Sequence, residues 1–155
     1  MAVQISVIGS GAGAEERAEE VGRLLAARGC VVVTGGLGEV MTAAARGAKE
    51  AGGTTIGILP GESREAANRW IDHAVATGVG HARNLAVVAS GDAVIAVGGA
   101  WGTLAEIGFA RVIGRPVVIL DPGWDIRGEG VEHAATPAEA VDRALALVGA
   151  ANERR

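Results

Sequence analysis

Short β-branched runs that stop at glycine-rich turns and then open helical segments restrict this chain more than any other feature. The run at 3–8 stops at Gly9-Ser10-Gly11-Ala12-Gly13, the first glycine turn. Residues 15–28 then have the apolar periodicity of a helix, with glutamates in the first turn, where the helix dipole favours them. Strands that are apolar throughout and alternate with helices predict a parallel sheet covered on both faces.

The same alternation continues towards the carboxyl terminus. The last helix has the clearest start, with Thr136 as N-cap, Pro137 at the first helical position and Glu139 completing a capping box. We find no repeat, low-complexity tract or linker. Residues 1–155 are therefore predicted to form one domain, a doubly wound α/β fold with three layers (α/β/α). Further strands are predicted at 31–33, 54–59, 71–77 (the weakest), 93–97 and 117–120, further helices at 39–51, 80–90 and 103–113, and loops at 62–68 and 121–135.

Composition and charge exclude several classes of protein. The net charge is −4 and no run of Lys or Arg is present, which argues against a nucleic-acid partner. No apolar stretch approaches the roughly 20 residues that cross a bilayer, and no signal peptide is evident, so we expect a cytoplasmic protein without a membrane partner. Cys30 is the only cysteine and lies in an apolar run, which predicts a buried structural thiol. His73, His81 and His133 lack metal-ligand spacing, so neither a metal nor another cofactor is expected.

Three glycine turns are predicted at the carboxyl ends of strands, the edge at which doubly wound sheets bind ligands. Each turn opens a helix, whose N-terminal N–H groups and partial positive charge suit a phosphate. A single turn of this kind could be a tight connection only, but three together favour a phosphate-bearing ligand. The candidate binding residues come from the first turn (Gly9, Ser10, Gly11), the second turn (Gly35, Gly36, Gly38, with Met41 in the helix) and the third turn (Gly98, Gly99, Ala100, Trp101, Gly102, with Thr103).

The first turn superficially matches the dinucleotide fingerprint, as Gly9-x-Gly11-x-x-Ala14. That fingerprint also requires an acidic residue at the end of the second strand, where it holds a ribose. The second predicted strand ends in Thr34-Gly35-Gly36, and Glu39 is expected to lie inside the next helix. A nicotinamide cofactor is therefore not expected. No Walker A pattern with its lysine is present either.

Two blocks of the chain resemble the LOG family, also called "lysine decarboxylase-like". The resemblance covers about residues 3–120, and the two blocks together are specific. Three departures, Asn84, Gly98 and Ala100, are closer to a bacterial branch and to the related molybdenum-cofactor carrier proteins. The first block is Gly35-Gly36-Leu37-Gly38-Glu39-Val40-Met41 with Gly52-Gly53 and Pro60-Gly61, and the second runs from Arg83 through Asp92 to Gly98-Gly99-Ala100-Trp101-Gly102-Thr103-Leu104-Ala105-Glu106.

The resemblance implies a Rossmann-like homodimer that binds a nucleotide or another small phosphate-bearing ligand. LOG enzymes hydrolyse the N-glycosidic bond of nucleoside 5′-monophosphates, and the residues that match their catalytic pair are Arg83 and Glu106. The departures leave two functions open, a phosphoribohydrolase or a non-catalytic carrier or sensor of a nucleotide or the molybdenum cofactor. A pyridoxal-phosphate decarboxylase is not expected, because the single lysine, Lys49, lies on the polar face of a helix.

Glu106 and Arg83 are also informative without the family. Glu106 has mainly small or apolar neighbours three and four residues away, so its carboxylate is expected to face away from bulk water. A buried carboxylate needs a cation, a helix N-terminus or a ligand, and a structural ion pair is the alternative to a functional role. Arg83 is expected either to hold phosphate or ribose or to be solvated. Trp101 is expected either to stack on a base or to pack in a dimer interface.

Overall fold

Seven strands form one parallel sheet in the computed structural model, which describes residues 1–155. Their spatial order is β4-β3-β2-β1-β5-β6-β7, and every neighbouring pair is parallel. The order reverses between β1 and β5, which makes this the switch point where such sheets bind ligands. The strands are β1 (Gln4–Ser10), β2 (Val31–Thr34), β3 (Thr54–Leu59), β4 (His73–Ala76), β5 (Ala93–Gly98), β6 (Val117–Leu120) and β7 (Val131–Ala134).

Five helices cover the sheet on both faces. Helices α1, α2 and α5 pack on one face, where the core contains 22 buried residues, and α3 and α4 pack on the other over a core of 11. The predicted single-domain, three-layer, Rossmann-like sheet is therefore confirmed. The helices are α1 (Glu15–Ala27), α2 (Val40–Glu50), α3 (Arg83–Ser90), α4 (Trp101–Val112) and α5 (Pro137–Glu153), with 3-10 turns at Arg64–Ala66 and Gly80–Ala82.

Two predictions about elements were wrong, and both errors have a tertiary cause. Segment 121–135 was expected to be a loop, but it contains β7, an edge strand held by its parallel ladder with β6. Glu39 was expected inside a helix, but it precedes α2 with φ 56° and ψ −124°. Boundaries also moved at two helices: α3 starts at Arg83 after a 3-10 turn, and α4 starts at Trp101 rather than at residue 103.

Helices α1 and α2 approach each other so closely that two glycines are required between them. A Cβ atom on Gly22 would lie 2.0 Å from the backbone carbonyl oxygen of Ala44, and one on Gly47 would lie 1.9 Å from the backbone carbonyl oxygen of Glu19. An ion pair of 2.9 Å between Arg46 and Glu19 also joins the two helices. Because both helices start at the same edge of the sheet, this contact brings the first and second glycine turns side by side.

Two local predictions are confirmed. The Thr136 hydroxyl accepts a hydrogen bond from the Glu139 N–H, which confirms Thr136 as the N-cap. The Glu139 carboxylate accepts a hydrogen bond from the Ala135 N–H, one residue before the N–H that a capping box uses. Cys30 is buried, and burial raises the pKa of its thiol, as expected of a structural cysteine. None of the five helices combines the length and the apolar character that crossing a bilayer requires.

Candidate functional site

The three glycine turns lie next to one another at the carboxyl edge of the sheet, because they follow the neighbouring strands β2, β1 and β5. The Ala100 N–H in the third turn donates to the Ser10 hydroxyl oxygen of the first turn at 3.1 Å. The Gly11 N–H in the first turn donates to the carboxylate of Glu39, at the end of the second turn, at 3.4 Å. The predicted binding turns thus form one continuous surface.

Glycine is required where the first and third turns meet. Gly9 has φ +146°, and a Cβ atom on it would lie 1.9 Å from the Val97 carbonyl oxygen. Gly99 has φ +137°, and a Cβ atom there would lie 2.6 Å from the Thr103 side chain. Thr103 is buried under Gly99, so it fills space beneath the third turn. Glycine is therefore required at both positions so that the first turn can pack on β5 and the third turn on the start of α4.

A cavity of about 460 Å³ opens at the switch point. Its volume lies within the range of small-molecule sites. The first and third turns form one wall, and the loop after β6 forms the other. Arg17 supports that loop by donating to the Asp121 carbonyl oxygen at 2.8 Å. The lining residues are Ser10, Gly11, Ala12, Ala14, Arg17, Gly98, Gly99, Pro122, Gly123, Trp124 and Asp125.

Trp124 and Arg17 were missed by the sequence interpretation. The Trp124 indole donates to the Ala100 carbonyl oxygen at 3.2 Å, and its ring lies 5.4 Å from the ring of Trp101 with a 46° tilt. Trp101 itself is 77% exposed, so the pair presents an aromatic surface beside the third turn. The only sign in the sequence that Trp124 contributes to a site is that a tryptophan occurs within a segment predicted to be a loop.

His133 fastens the loop that carries Trp124. Its Nε2 lies 2.8 Å from the Ile126 carbonyl oxygen and its Nδ1 lies 3.0 Å from Asp121 Oδ1. Both partners are acceptors, so both bonds form only when the imidazole is protonated and donates from each nitrogen. The bond to Ile126 and then that to Asp121 raise the pKa of His133 accordingly.

Arg83 is the first residue of α3, and its guanidinium lies against the second turn. A Cβ atom on Gly35 would lie 2.9 Å from Arg83 Cζ and 2.7 Å from the Met41 sulfur. Nη1 of Arg83 donates to the Asn84 side-chain oxygen, whereas the buried Nε has no hydrogen-bond partner. Burial lowers the pKa of Arg83, and the charge of Glu106 opposes that shift. Gly35, Met41 and Arg83 are thus brought together from three separate elements.

Glu106 is 9% exposed, which confirms the expectation that it faces away from bulk water. Burial raises the pKa of its carboxyl to about 7, although the charge of Arg83 acts in the opposite direction. Glu106 makes no ion pair within 4 Å, and α4 has no side-chain N-cap. A buried carboxylate and a half-buried guanidinium therefore influence each other through their charges without forming an ion pair, and both retain capacity for hydrogen bonds.

Some of the predicted binding residues have a structural role or are simply exposed. A Cβ atom on Gly36 would lie 2.7 Å from Leu59, and its carbonyl oxygen accepts from the Asn68 N–H, so Gly36 has a structural role. Gly38 and Gly102 are exposed with open space around them. His81 lies beside Trp101 in a groove between α3 and α4. No three His, Cys, Asp or Glu side chains converge as a metal-binding group.

The chain resembles known proteins over most of its length. A family model described as the SLOG cluster4 family matches residues 2–150. An uncharacterized protein of Archaeoglobus fulgidus is 46% identical over 143 residues, which cover 90% of this chain and 93% of that protein. A cytokinin riboside 5′-monophosphate phosphoribohydrolase of Mycobacterium tuberculosis is 35% identical over 117 residues, covering 69% of this chain and 62% of the enzyme.

The solved structure of a molybdenum cofactor binding protein from Rippkaea orientalis has the same fold. It superposes with a TM-score of 0.89 and 33% sequence identity, covering 96% of this chain and 98% of that protein. The predicted resemblance to LOG-like proteins is therefore confirmed, since one relative is a phosphoribohydrolase and a structural neighbour binds the molybdenum cofactor.

Proposed function

This chain belongs to the SLOG cluster4 family, and we propose that it binds a nucleoside 5′-monophosphate and hydrolyses its N-glycosidic bond. The observation that carries the proposal is the pair formed by Arg83 and Glu106: the Glu106 side chain and the Nε atom of Arg83 are buried, and neither residue makes an ion pair within 4 Å. Withdrawing charges from water without a direct partner is costly, and such groups occur mainly at functional sites. A ligand that offers both a phosphate or sugar oxygen and a developing positive charge would compensate both groups.

The phosphate is assigned to the third glycine turn. The turn opens α4, a 12-residue helix whose N-terminus has no side-chain cap, so its first N–H groups remain available to an anion. Neither Arg83 nor Glu106 is among the residues that line the adjoining switch-point cavity, so the ligand would extend from that cavity towards the second turn, where Arg83 lies. A ligand of this kind is consistent with the cytoplasmic location expected from the sequence.

In the proposed reaction, water adds to the C1′ atom of the ribose as the bond from C1′ to the base breaks. The products are the free base, which takes up a proton, and ribose 5-phosphate. The transition state resembles an oxocarbenium ion, which the ionised Glu106 stabilises while it orients the water. A pKa near 7 suits this task, because the group accepts a proton readily at neutral pH. Arg83 holds a ribose or phosphate oxygen with its planar guanidinium.

Base release from AMP, GMP, CMP and UMP tests the proposal in wild type, Glu106→Gln and Arg83→Lys. We expect Glu106→Gln to lower the rate by at least about 100-fold, and wild-type rates to rise with pH through about 7. The matched control is Glu50→Gln, a neutralised carboxylate at an exposed position of α2, which should retain full activity. Wild type that binds these nucleotides but releases no base would disprove the hydrolysis.

The second candidate is a non-catalytic carrier or sensor of a nucleotide or of the molybdenum cofactor. It is favoured by the likeness to the molybdenum cofactor binding protein, which spans 96% of this chain, whereas the phosphoribohydrolase match spans 69%. The same measurements separate the two functions when thermal shift is recorded beside base release. A ligand-dependent rise in Tm without turnover, equal in wild type and Glu106→Gln, would favour the carrier.

We further propose that the protein is a homodimer that pairs through α3 and α4. Five large apolar side chains are exposed on these helices or at the end of α4, where a second copy would cover them: Leu85, Trp101, Phe109, Val112 and Ile113. An exposed apolar patch of this kind is typical of an interface. Light scattering of the purified chain tests the proposal, and a monomer at micromolar concentration would contradict it.

A further inference from the structure

Glu39 has a backbone conformation that side chains rarely adopt. It is the one non-glycine residue with positive φ in the protein, at φ 56° and ψ −124°. Most residues avoid this region because their Cβ atom clashes with the backbone. Such a conformation persists at ligand sites when the surrounding structure imposes it.

The Glu39 carboxylate lies at the first glycine turn. One of its oxygens accepts a hydrogen bond of 3.4 Å from the Gly11 N–H, and the other oxygen has no partner in the protein. A bond of this length is weak, and the residue is exposed, so most of the acceptor capacity of the carboxylate remains free. Gly11 also lines the switch-point cavity. A charged acceptor therefore lies beside Gly11, one of the residues that line the cavity.

From the sequence, no acidic residue was expected at the position where the dinucleotide fingerprint binds a ribose, but Glu39 lies close to that position in the structure. The dinucleotide fingerprint needs a carboxylate that follows the second strand and faces the first glycine turn. Glu39 lies five residues beyond Thr34, the end of β2, and it was discounted because it was expected inside a helix. The close contact of α1 and α2 through Gly22 and Gly47 brings its carboxylate to the first turn.

We infer that Glu39 recognises the ribose of the ligand, its carboxylate accepting hydrogen bonds from the 2′- and 3′-hydroxyls. The inference rests on the proposed nucleotide function and deepens it. The carboxylate repels a phosphate at the first turn, so the 5′-phosphate lies on the third turn instead. The first and third turns touch through Ser10 and Ala100, so one ribose 5-phosphate group can reach both.

The test compares two probes that carry no base, ribose 5-phosphate and 2-deoxyribose 5-phosphate, by titration calorimetry. Wild type is expected to bind the ribose compound about 10- to 100-fold more tightly, the range for hydrogen bonds to a charged acceptor. Glu39→Gln and Glu39→Gly should reduce that preference below about threefold. Glu39→Gly should also raise the Tm, because glycine adopts positive φ without strain. A lost preference for ribose 5-phosphate in that variant therefore cannot come from unfolding.

The matched control is Glu15→Gln, which removes an exposed carboxylate at the start of α1 and should leave the preference intact. Equal binding of the two sugar phosphates by wild type would overturn the role of Glu39 while leaving phosphate binding in place. A preference that survives in both Glu39 variants would overturn it as well. If wild type binds neither probe, the role of Glu39 fails, whereas base release from the nucleoside monophosphates decides the proposed function separately.

Discussion

The face of the sheet under α1, α2 and α5 packs 22 buried residues, whereas the face under α3 and α4 packs 11. The first face exposes no large apolar side chain on its helices, and ion pairs tie its helices together, α1 to α2 through Glu19 and Arg46 and α1 to α5 through Arg28 and Asp142. The second face exposes Trp101 and Val112, and it contains the unpaired charges of Arg83 and Glu106.

The difference indicates how stability and function are divided within one small sheet. A buried carboxylate without an ion pair and a guanidinium that lacks one hydrogen bond both lower stability, and a domain of this size has only about 5–15 kcal/mol in total. The larger buried cluster under α1, α2 and α5 contributes more of the hydrophobic stabilisation that offsets this cost. It also sets the spacing of the first two glycine turns, so the packed face determines the geometry of the ligand site.

The largest effect is expected from breaking the packed face at Gly47. Gly47→Ala places a Cβ atom 1.9 Å from a backbone carbonyl of α1, which cannot move without separating the helices. We expect a loss of at least about 3 kcal/mol in the free energy of unfolding, measured by urea denaturation. Gly149→Ala in α5 is the control, since open space surrounds that position, and it should be neutral or stabilising. Similar losses in both variants would contradict the close contact.

The next effect concerns the functional face and depends on pH. Below pH 4.5, Glu106 is protonated in both the folded and the unfolded state. Between that pH and about 7 the unfolded state ionises first, so the wild type loses stability as the pH rises. The Glu106→Gln variant does not lose stability in this way. Its free energy of unfolding should exceed that of the wild type by about 2–3 kcal/mol at pH 8 and equal it at pH 4. Urea denaturation across this range is the measurement, and parallel pH profiles would refute the assignment.

A smaller effect is expected at the loop that carries Trp124. The pKa of His133 is raised in the folded state, so its stabilisation is complete below pH 6.5 and is lost as the pH rises through the folded value. The His133→Gln change is made in a Glu106→Gln background, which removes the pH dependence of stability caused by Glu106. There, His133→Gln should lower the free energy of unfolding by about 1 kcal/mol at pH 5.5 and by little at pH 9. Tryptophan fluorescence reports the loop, and a cost independent of pH would show that the imidazolium has no such role.

The smallest effect on the folded chain is expected at the exposed apolar side chains of α4. Val112→Ser changes a residue that is 84% exposed, so the stability of the monomer should change by less than about 0.5 kcal/mol. If this face pairs two copies, the same variant should shift light scattering from dimer towards monomer. Glu153→Ser, at the exposed carboxyl end of α5, is the control and should leave the dimer intact. An unchanged dimer in Val112→Ser would move the interface elsewhere.

Features that depend on neighbours close in sequence were predictable. The alternation of strands and helices, the glycine turns and the Thr136 N-cap all follow from local periodicity and turn chemistry. The burial of Glu106 was predictable too, because the residues three and four positions away on a helix determine its surroundings.

Features that depend on distant partners were decided only by the tertiary structure. Strand β7 exists because β6 lies beside it, and Arg83 meets Gly35 from an element that starts 48 positions later in the chain. Trp124 reaches Ala100 from a loop that has no periodicity to reveal it. Glu39 reaches Gly11 because α1 and α2 pack through two glycines, and local propensity favours a helix there instead. The sequence alone determined the composition of the glycine turns, whereas helix packing determined that the Glu39 carboxylate lies at the first turn.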